Sequence, residues 1–150
     1  MKLSKDIQIA PNFTFNEFLH SDDKQSSSIE NAFNIQNLAI KLQYLRNIVG
    51  SITVNSGFRG EKYNSLIGGS KNSYHLQGLA ADIKFNFKGW TRESLTKLLQ
   101  SIGFTNVNFY WTSDRKSWVW LHVDIGKTWD GKDYFYRDLD SVTQKEIRIG

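Results

Sequence analysis

No cysteine occurs among the 150 residues, and only one proline and one methionine do. Disulfides and thiolate metal ligands are therefore excluded, and a disulfide-stapled secreted scaffold with them. No run of 18 apolar residues exists, so no membrane-spanning helix is expected. The opening Met1-Lys2-Leu3-Ser4-Lys5-Asp6 lacks an apolar stretch, so no signal peptide is expected and synthesis is expected to be cytoplasmic. The net charge of +4 comes without a basic cluster of five or more, which argues against nucleic-acid binding. A surface of this sign would also be attracted to anionic polymers in general. Aromatics are plentiful, with ten Phe, six Tyr and five Trp, mostly at core-like periodic positions rather than as base-stacking platforms. The length suits one domain with one core.

The chain is organised around Ser73-Tyr74-His75-Leu76-Gln77-Gly78-Leu79-Ala80-Ala81-Asp82. The run Leu79–Ile83 reads as a short buried strand. A carboxylate inside such a strand is costly unless its charge is compensated, and a divalent cation would do so. His75 and Asp82 offer an imidazole nitrogen and a carboxylate oxygen, both standard zinc ligands. Gly78 would let the backbone turn so that the two converge. A catalytic zinc needs a third protein ligand and an open position. Trp118-Val119-Trp120-Leu121-His122-Val123-Asp124-Ile125 alternates strictly. Val119, Leu121, Val123 and Ile125 are expected to face a core, and Trp118, Trp120, His122 and Asp124 a cleft. Taken alone, the same residues also fit ordinary satisfied histidines.

Residues 1–13 read as an extended lead-in. Thr14 and Glu17 have capping-box spacing and predict a short helix to about Leu19, followed by a polar loop over Ser21–Ser28. Ile35, Leu38, Leu42, Leu45 and Val49 make the stripe of a helix over 31–49, closed by Gly50. A strand over Ser51–Ser56, helical turns over 60–67 and a Thr91-capped helix ending at Gly103 follow. Strands over Phe104–Trp111 and 118–125 are expected to pair antiparallel across the polar turn Thr112–Ser117. Tyr134–Tyr136 reads as an edge strand, and residues 141–150 as a polar tail expected to be flexible. The order predicts an α+β domain with a small antiparallel sheet and helices packed on it.

Ser73, His75, Gly78, Ala80 and Asp82 together resemble the zinc signature of the M15 peptidases, Ser-x-His-x-x-Gly-x-Ala-x-Asp. That family comprises D-Ala-D-Ala carboxypeptidases, dipeptidases and phage L-alanyl-D-glutamate endolysins. Upstream, Val54-Asn55-Ser56-Gly57-Phe58-Arg59 and Asn64 with Ile67-Gly68-Gly69-Ser70 resemble the segments that precede the signature. Downstream, Trp120-Leu121-His122-Val123-Asp124 is similar to the strand carrying the last ligand, and Phe13–Phe18 to the opening of phage-type members. The likeness spans roughly residues 12–126.

The resemblance implies the zinc D-Ala-D-Ala carboxypeptidase-like (Hedgehog/DD-peptidase) fold in a single domain. It implies one Zn2+ per chain on His75, Asp82 and His122, a peptidoglycan peptide as substrate, and hydrolysis by metal-activated water. His20 matches no ligand position. The chain is expected to act as a monomer, on the cell wall, after phage lysis or from a virion. Arg59 is implied as the group that binds a substrate carbonyl or carboxylate. Ser73 is implied as a hydrogen-bonding, substrate-binding group near the metal, or simply as a residue that fixes the loop. Many members carry Glu or Asp three residues before the last histidine, where this chain has Val119. Asp124 is then the foremost candidate for the general base, or a partner that holds a ligand. Asp114 is a weaker candidate. The missing acid opens an alternative reading, a non-catalytic zinc-binding wall or virion module.

Overall fold

The computed structural model describes residues 7–19 and 28–149. His20 and most of the expected polar loop lie outside the described residues. Strands β1 (Gln8–Ala10) and β2 (Phe13–Thr14) pair antiparallel within the lead-in. The short helix expected after Thr14 is a single 3-10 turn, Phe15–Phe18, and the Thr14 side chain makes no cap. Burial rather than capping holds it: Phe13, Phe15 and Phe18 are fully enclosed, and Phe58 N donates to Phe18 O at 2.7 Å.

Helix α1 (Ile29–Val49) starts two residues earlier than expected, because Ser28 Oγ accepts from Asn31 N at 3.1 Å. Its stripe of Ile35, Leu38, Leu42 and Leu45 is fully buried. Helix α2 (Glu61–Leu66) is short, and helix α3 (Arg92–Ile102) carries a capping box between Thr91 and Ser94. Strands β3 (Thr53–Ser56), β4 (Ala80–Lys84), β5 (Asn106–Trp111), β6 (Trp118–Asp124) and β7 (Phe135–Asp140) form one sheet in the order β3-β4-β6-β5-β7.

The sheet is mixed rather than wholly antiparallel, since β7 runs parallel to β5. The cause is connectivity. Both edges of β6 are occupied, by β4 and β5, so the next strand cannot pair with β6 and adds instead at an outer edge of the sheet, that of β5. Reversing direction after β6 then makes it parallel to β5. Asp138 ties this edge down by accepting from Trp111 Nε1 at 2.8 Å and pairing with Arg92 of α3. Past β7, residues 141–149 turn back along it, with Leu139 bridging Glu146 antiparallel.

One face of the sheet, with Ile83, Val107, Phe109, Leu121 and Val123, joins the stripes of α1 and α3 in a single core. Strict alternation along β6 fails at one point. Tyr110 pairs with Trp120 but Trp111 pairs with Trp118, so Val119 is an extra residue in a β-bulge. The bulge inverts the side-chain parity beyond it. Trp118 therefore packs against the core, with ring centroids 5.2 Å from both Phe109 and Trp111, and not beside His122. Val119 is half-buried and outside the core cluster.

Gly78 ends a 3-10 turn over Tyr74–Gln77 in the left-handed region, at φ 75°. A Cβ there would stand 2.8 Å from both Asn31 O and Ile35 Cγ1 of α1. Gly78→Ala is expected to cost about 2–4 kcal/mol from the left-handed backbone and the clash together. In thermal denaturation that is a fall in Tm of roughly 4–16 °C for a domain of this size. An unchanged Tm would show that the turn relaxes freely.

Candidate metal centre

The other face of the sheet carries one row of side chains across all five strands. Ser56 of β3 pairs with Asp82 of β4, Asp82 with His122 of β6, His122 with Asn108 of β5, and Asn108 with Arg137 of β7. Residues at one level of neighbouring strands point to the same face, and Asp82, His122, Asn108 and Arg137 of this row line a cleft. The cleft has a volume of about 660 Å³. His75 enters it from the 3-10 turn, whose start is held by Ser73 Oγ accepting from His75 N at 3.2 Å. Ser73 lines the cleft and fixes the loop at once.

His75, Asp82 and His122 converge, with one ligand atom from each lying within 4.8 Å of the others. Asp82 Oδ1 is 3.4 Å from His75 Nε2 and 3.2 Å from His122 Nδ1. The second nitrogen of each imidazole is engaged away from this point. His75 Nδ1 lies 2.7 Å from Gly57 O, and His122 Nε2 lies 2.8 Å from Asp124 Oδ2. A carbonyl and a carboxylate only accept, so those nitrogens carry the protons. His75 Nε2 and His122 Nδ1 both face Asp82 Oδ1, and each would offer its lone pair to a metal there once any proton on it is displaced. Two oriented imidazoles and a carboxylate fit zinc, and the arrangement of outer partners is the one that fixes metal-binding histidines.

The electrostatics agree. Burial would raise Asp82, but His75 and His122 beside it hold its carboxyl well below the usual range. Burial lowers His75 against the pull of Asp82. Burial would also lower His122, but the carboxylates of Asp124 and Asp82 push it up to about 9. A site that favours positive charge between Asp82 and His122 suits a cation there.

Arg59 joins the centre through Asp82, its Nη2 lying 3.2 Å from Oδ2. Ser56 Oγ accepts from its Nε at 3.0 Å, and Asn64 Oδ1 from Nη1 at 3.4 Å. Asn64 is itself buried and donates to Ser70 O at 2.9 Å. A Cβ on Gly69 would fall 2.1 Å from Asn64 Oδ1, which explains a glycine there. Asp124 does not face the cleft. It is wholly buried behind His122, accepting from Asn106 Nδ2 at 2.7 Å and Gly126 N at 3.2 Å. Asp114 lies in the β5–β6 turn, exposed, where it accepts from Thr112 Oγ1 and Lys116 N. It does not line the cleft.

Several cleft residues escape a reading of the sequence. Asn108 and Tyr110 alternate along β5, and the antiparallel hairpin register would have placed them beside His122 and Trp120. Tyr110 and Trp120 stack at 4.3 Å and 12° to make a flat wall. Trp129 stacks on His122 at 5.8 Å, and its backbone N donates to Asn106 Oδ1. Arg137 reaches the cleft only through the parallel pairing of β7, for which the sequence carries no local signal.

The family model described as Peptidase M15 matches residues 11–124, a span that holds all three converging side chains and stops before β7. The chain is also similar to the zinc D-Ala-D-Ala carboxypeptidase of Streptomyces albus G, with 41% identity over 69 residues. That stretch is 45% of this chain and 26% of the relative, so the match spans about a quarter of the relative's length.

Proposed function

This chain belongs to the peptidase M15 family, and from that premise we propose that it is a zinc-dependent peptidase acting on peptidoglycan stem peptides. The fold is then of the zinc D-Ala-D-Ala carboxypeptidase (Hedgehog/DD-peptidase) type, and the ion is one Zn2+ on His75, Asp82 and His122. The observation that carries this reading is the convergence of these three side chains, each histidine held by its other nitrogen. When bound there, zinc supplies the Lewis acidity that polarises a carbonyl and acidifies water.

The chain's own residues supply the rest. Arg59 is pinned by Ser56 and Asn64 at the edge of the cleft, and so can donate to an oxyanion without reorganising. The Tyr110–Trp120 stack offers a flat wall for a peptide, and the cleft volume is in the range of small-ligand sites. Asp124 takes the orienting role rather than that of the base, because its carboxylate is enclosed and spent on His122, Asn106 and Gly126. In this reading the chain meets the wall after phage lysis or as part of a virion.

Asp124→Asn is expected to weaken zinc binding by about 10–100-fold, the usual effect of removing an outer partner. Activity at saturating zinc should largely return. Competitive titration with a zinc chelator measures the first, and peptide hydrolysis with added zinc the second. Wild-type zinc affinity with lost activity would instead make Asp124 the base.

A second reading is favoured by one observation. Among the described residues Asp82 is the only acidic side chain lining the cleft, and Val119 stands where related enzymes carry an acid. A zinc-binding wall or virion module without hydrolysis fits that. Mass analysis of purified peptidoglycan after digestion, with and without chelator, separates the two. Chelator-sensitive cleavage supports the peptidase and identifies the bond, whether D-Ala-D-Ala or L-Ala-D-Glu. Stoichiometric zinc without any cleaved product favours the module.

A further inference from the structure

We infer that Arg137 forms a carboxylate-binding subsite on the β7 side of the metal centre, selecting peptides with a free carboxylate there. The inference rests on the peptidase reading for the nature of the ligand, but on separate residues for the subsite itself. The family match ends at residue 124, before β7 begins.

The cleft holds two arginines, and their surroundings differ. Arg59 is paired with Asp82. Arg137 is half-buried, and among the described residues no carboxylate lies within 4.0 Å of it. Its neighbour on β7, Asp138, is already committed to Arg92 and Trp111. Arg137 is nevertheless held in place. Its guanidinium lies over the Trp129 ring at 4.4 Å, and its Nε approaches Asn108 Oδ1 at 3.5 Å. The two terminal nitrogens make no hydrogen bond among the described residues. A guanidinium fork with one edge fixed and the other open is shaped for bidentate capture of a carboxylate.

The charge of the cleft points the same way. Its one acidic side chain among the described residues, Asp82, is already surrounded by Arg59, His75 and His122. Arg137 is thus an uncompensated positive charge in a partly desolvated pocket, where attraction for an anion is strongest. Two strand spacings separate β7 from β6, so its backbone stands roughly 10 Å from that of His122. At about 3.3 Å per extended residue, the recognised carboxylate lies within about three residues of the scissile carbonyl. Trp129 contacts both, stacking on His122 and lying under Arg137.

The test uses zinc-loaded full chain and a matched pair of synthetic wall stem peptides, one with free carboxylates and one fully amidated. Wild type is expected to prefer the free acid by about 10-fold or more in KM, the effect of one charge-assisted hydrogen-bond pair. Arg137→Ala is expected to erase that preference through KM rather than kcat, with zinc content unchanged. Arg137→Lys, which keeps the charge but loses the fork, should restore part of it. Calorimetric binding of the same two peptides gives a readout independent of turnover. If wild type cleaves neither peptide, the peptidase reading fails, yet carboxylate-selective binding abolished by Arg137→Ala would still support the subsite. A preference that survives in Arg137→Ala, by KM or by binding, overturns it.

Discussion

Asp82→Ala is expected to empty the metal centre and abolish hydrolysis of wall peptides. The carboxylate is the one group in contact with every other member of the site: His75, His122 and Arg59. Without it, two imidazoles and a guanidinium remain, and the guanidinium repels a cation. Removing an outer partner of a metal ligand costs about 10–100-fold in affinity, so loss of this inner carboxylate should exceed that range. The zinc-free protein should suffer as well. Breaking a largely buried ion pair by removing one partner typically costs about 3–5 kcal/mol, because the remaining charge is left uncompensated. The expected result is near-zero zinc per chain by elemental analysis and a lower Tm in chelator than the wild type shows. One zinc per chain in the variant would take Asp82 out of the ligand set.

Arg59→Ala is expected to leave zinc in place and lower kcat/KM on wall peptides by about 10²–10³-fold, the loss seen when one oxyanion donor is removed. Arg59 touches the outer oxygen of Asp82, Oδ2, while Oδ1 faces the histidines. The ligand atoms therefore keep their positions when the arginine is truncated. Its fixed geometry depends on Ser56 and Asn64 together. Arg59→Lys should rescue poorly, since one ammonium cannot reproduce three separately anchored nitrogens. Wild-type turnover in Arg59→Ala would remove it from the reacting centre. Lost zinc would mean that it acts by holding Asp82 instead.

Much of this architecture is legible in the chain because local rules govern it. The buried stripe of α1, the Thr91 cap and Gly103 stop of α3, and the β5–β6 hairpin follow from periodicity and turn chemistry. The left-handed Gly78 follows from the need to bring His75 back over β4. The capping box at Thr14 does not form, because enclosing three phenylalanines outweighs one side-chain cap.

The chain alone offered His75, Asp82 and His122 as candidate donors, and its resemblance to the M15 peptidases joined them into one ligand set with Arg59 beside it. The motifs that carry the resemblance are short runs of residue types, each within one turn or strand. The tertiary structure alone decided three matters that depend on pairing between distant segments. The bulge at Val119 sends Trp118 to the core, because one unpaired residue inverts the side-chain parity beyond it. Strand parity put Asp124 on the His122 face, but only the enclosing Asn106 and Gly126 show it turned to Nε2, away from the cleft. Arg137 enters the cleft because both edges of β6 are taken and β7 adds at the outer edge of β5 rather than at that of β3. No local pattern encodes which outer edge takes the last strand, so that second cation becomes visible only once all five strands are in place.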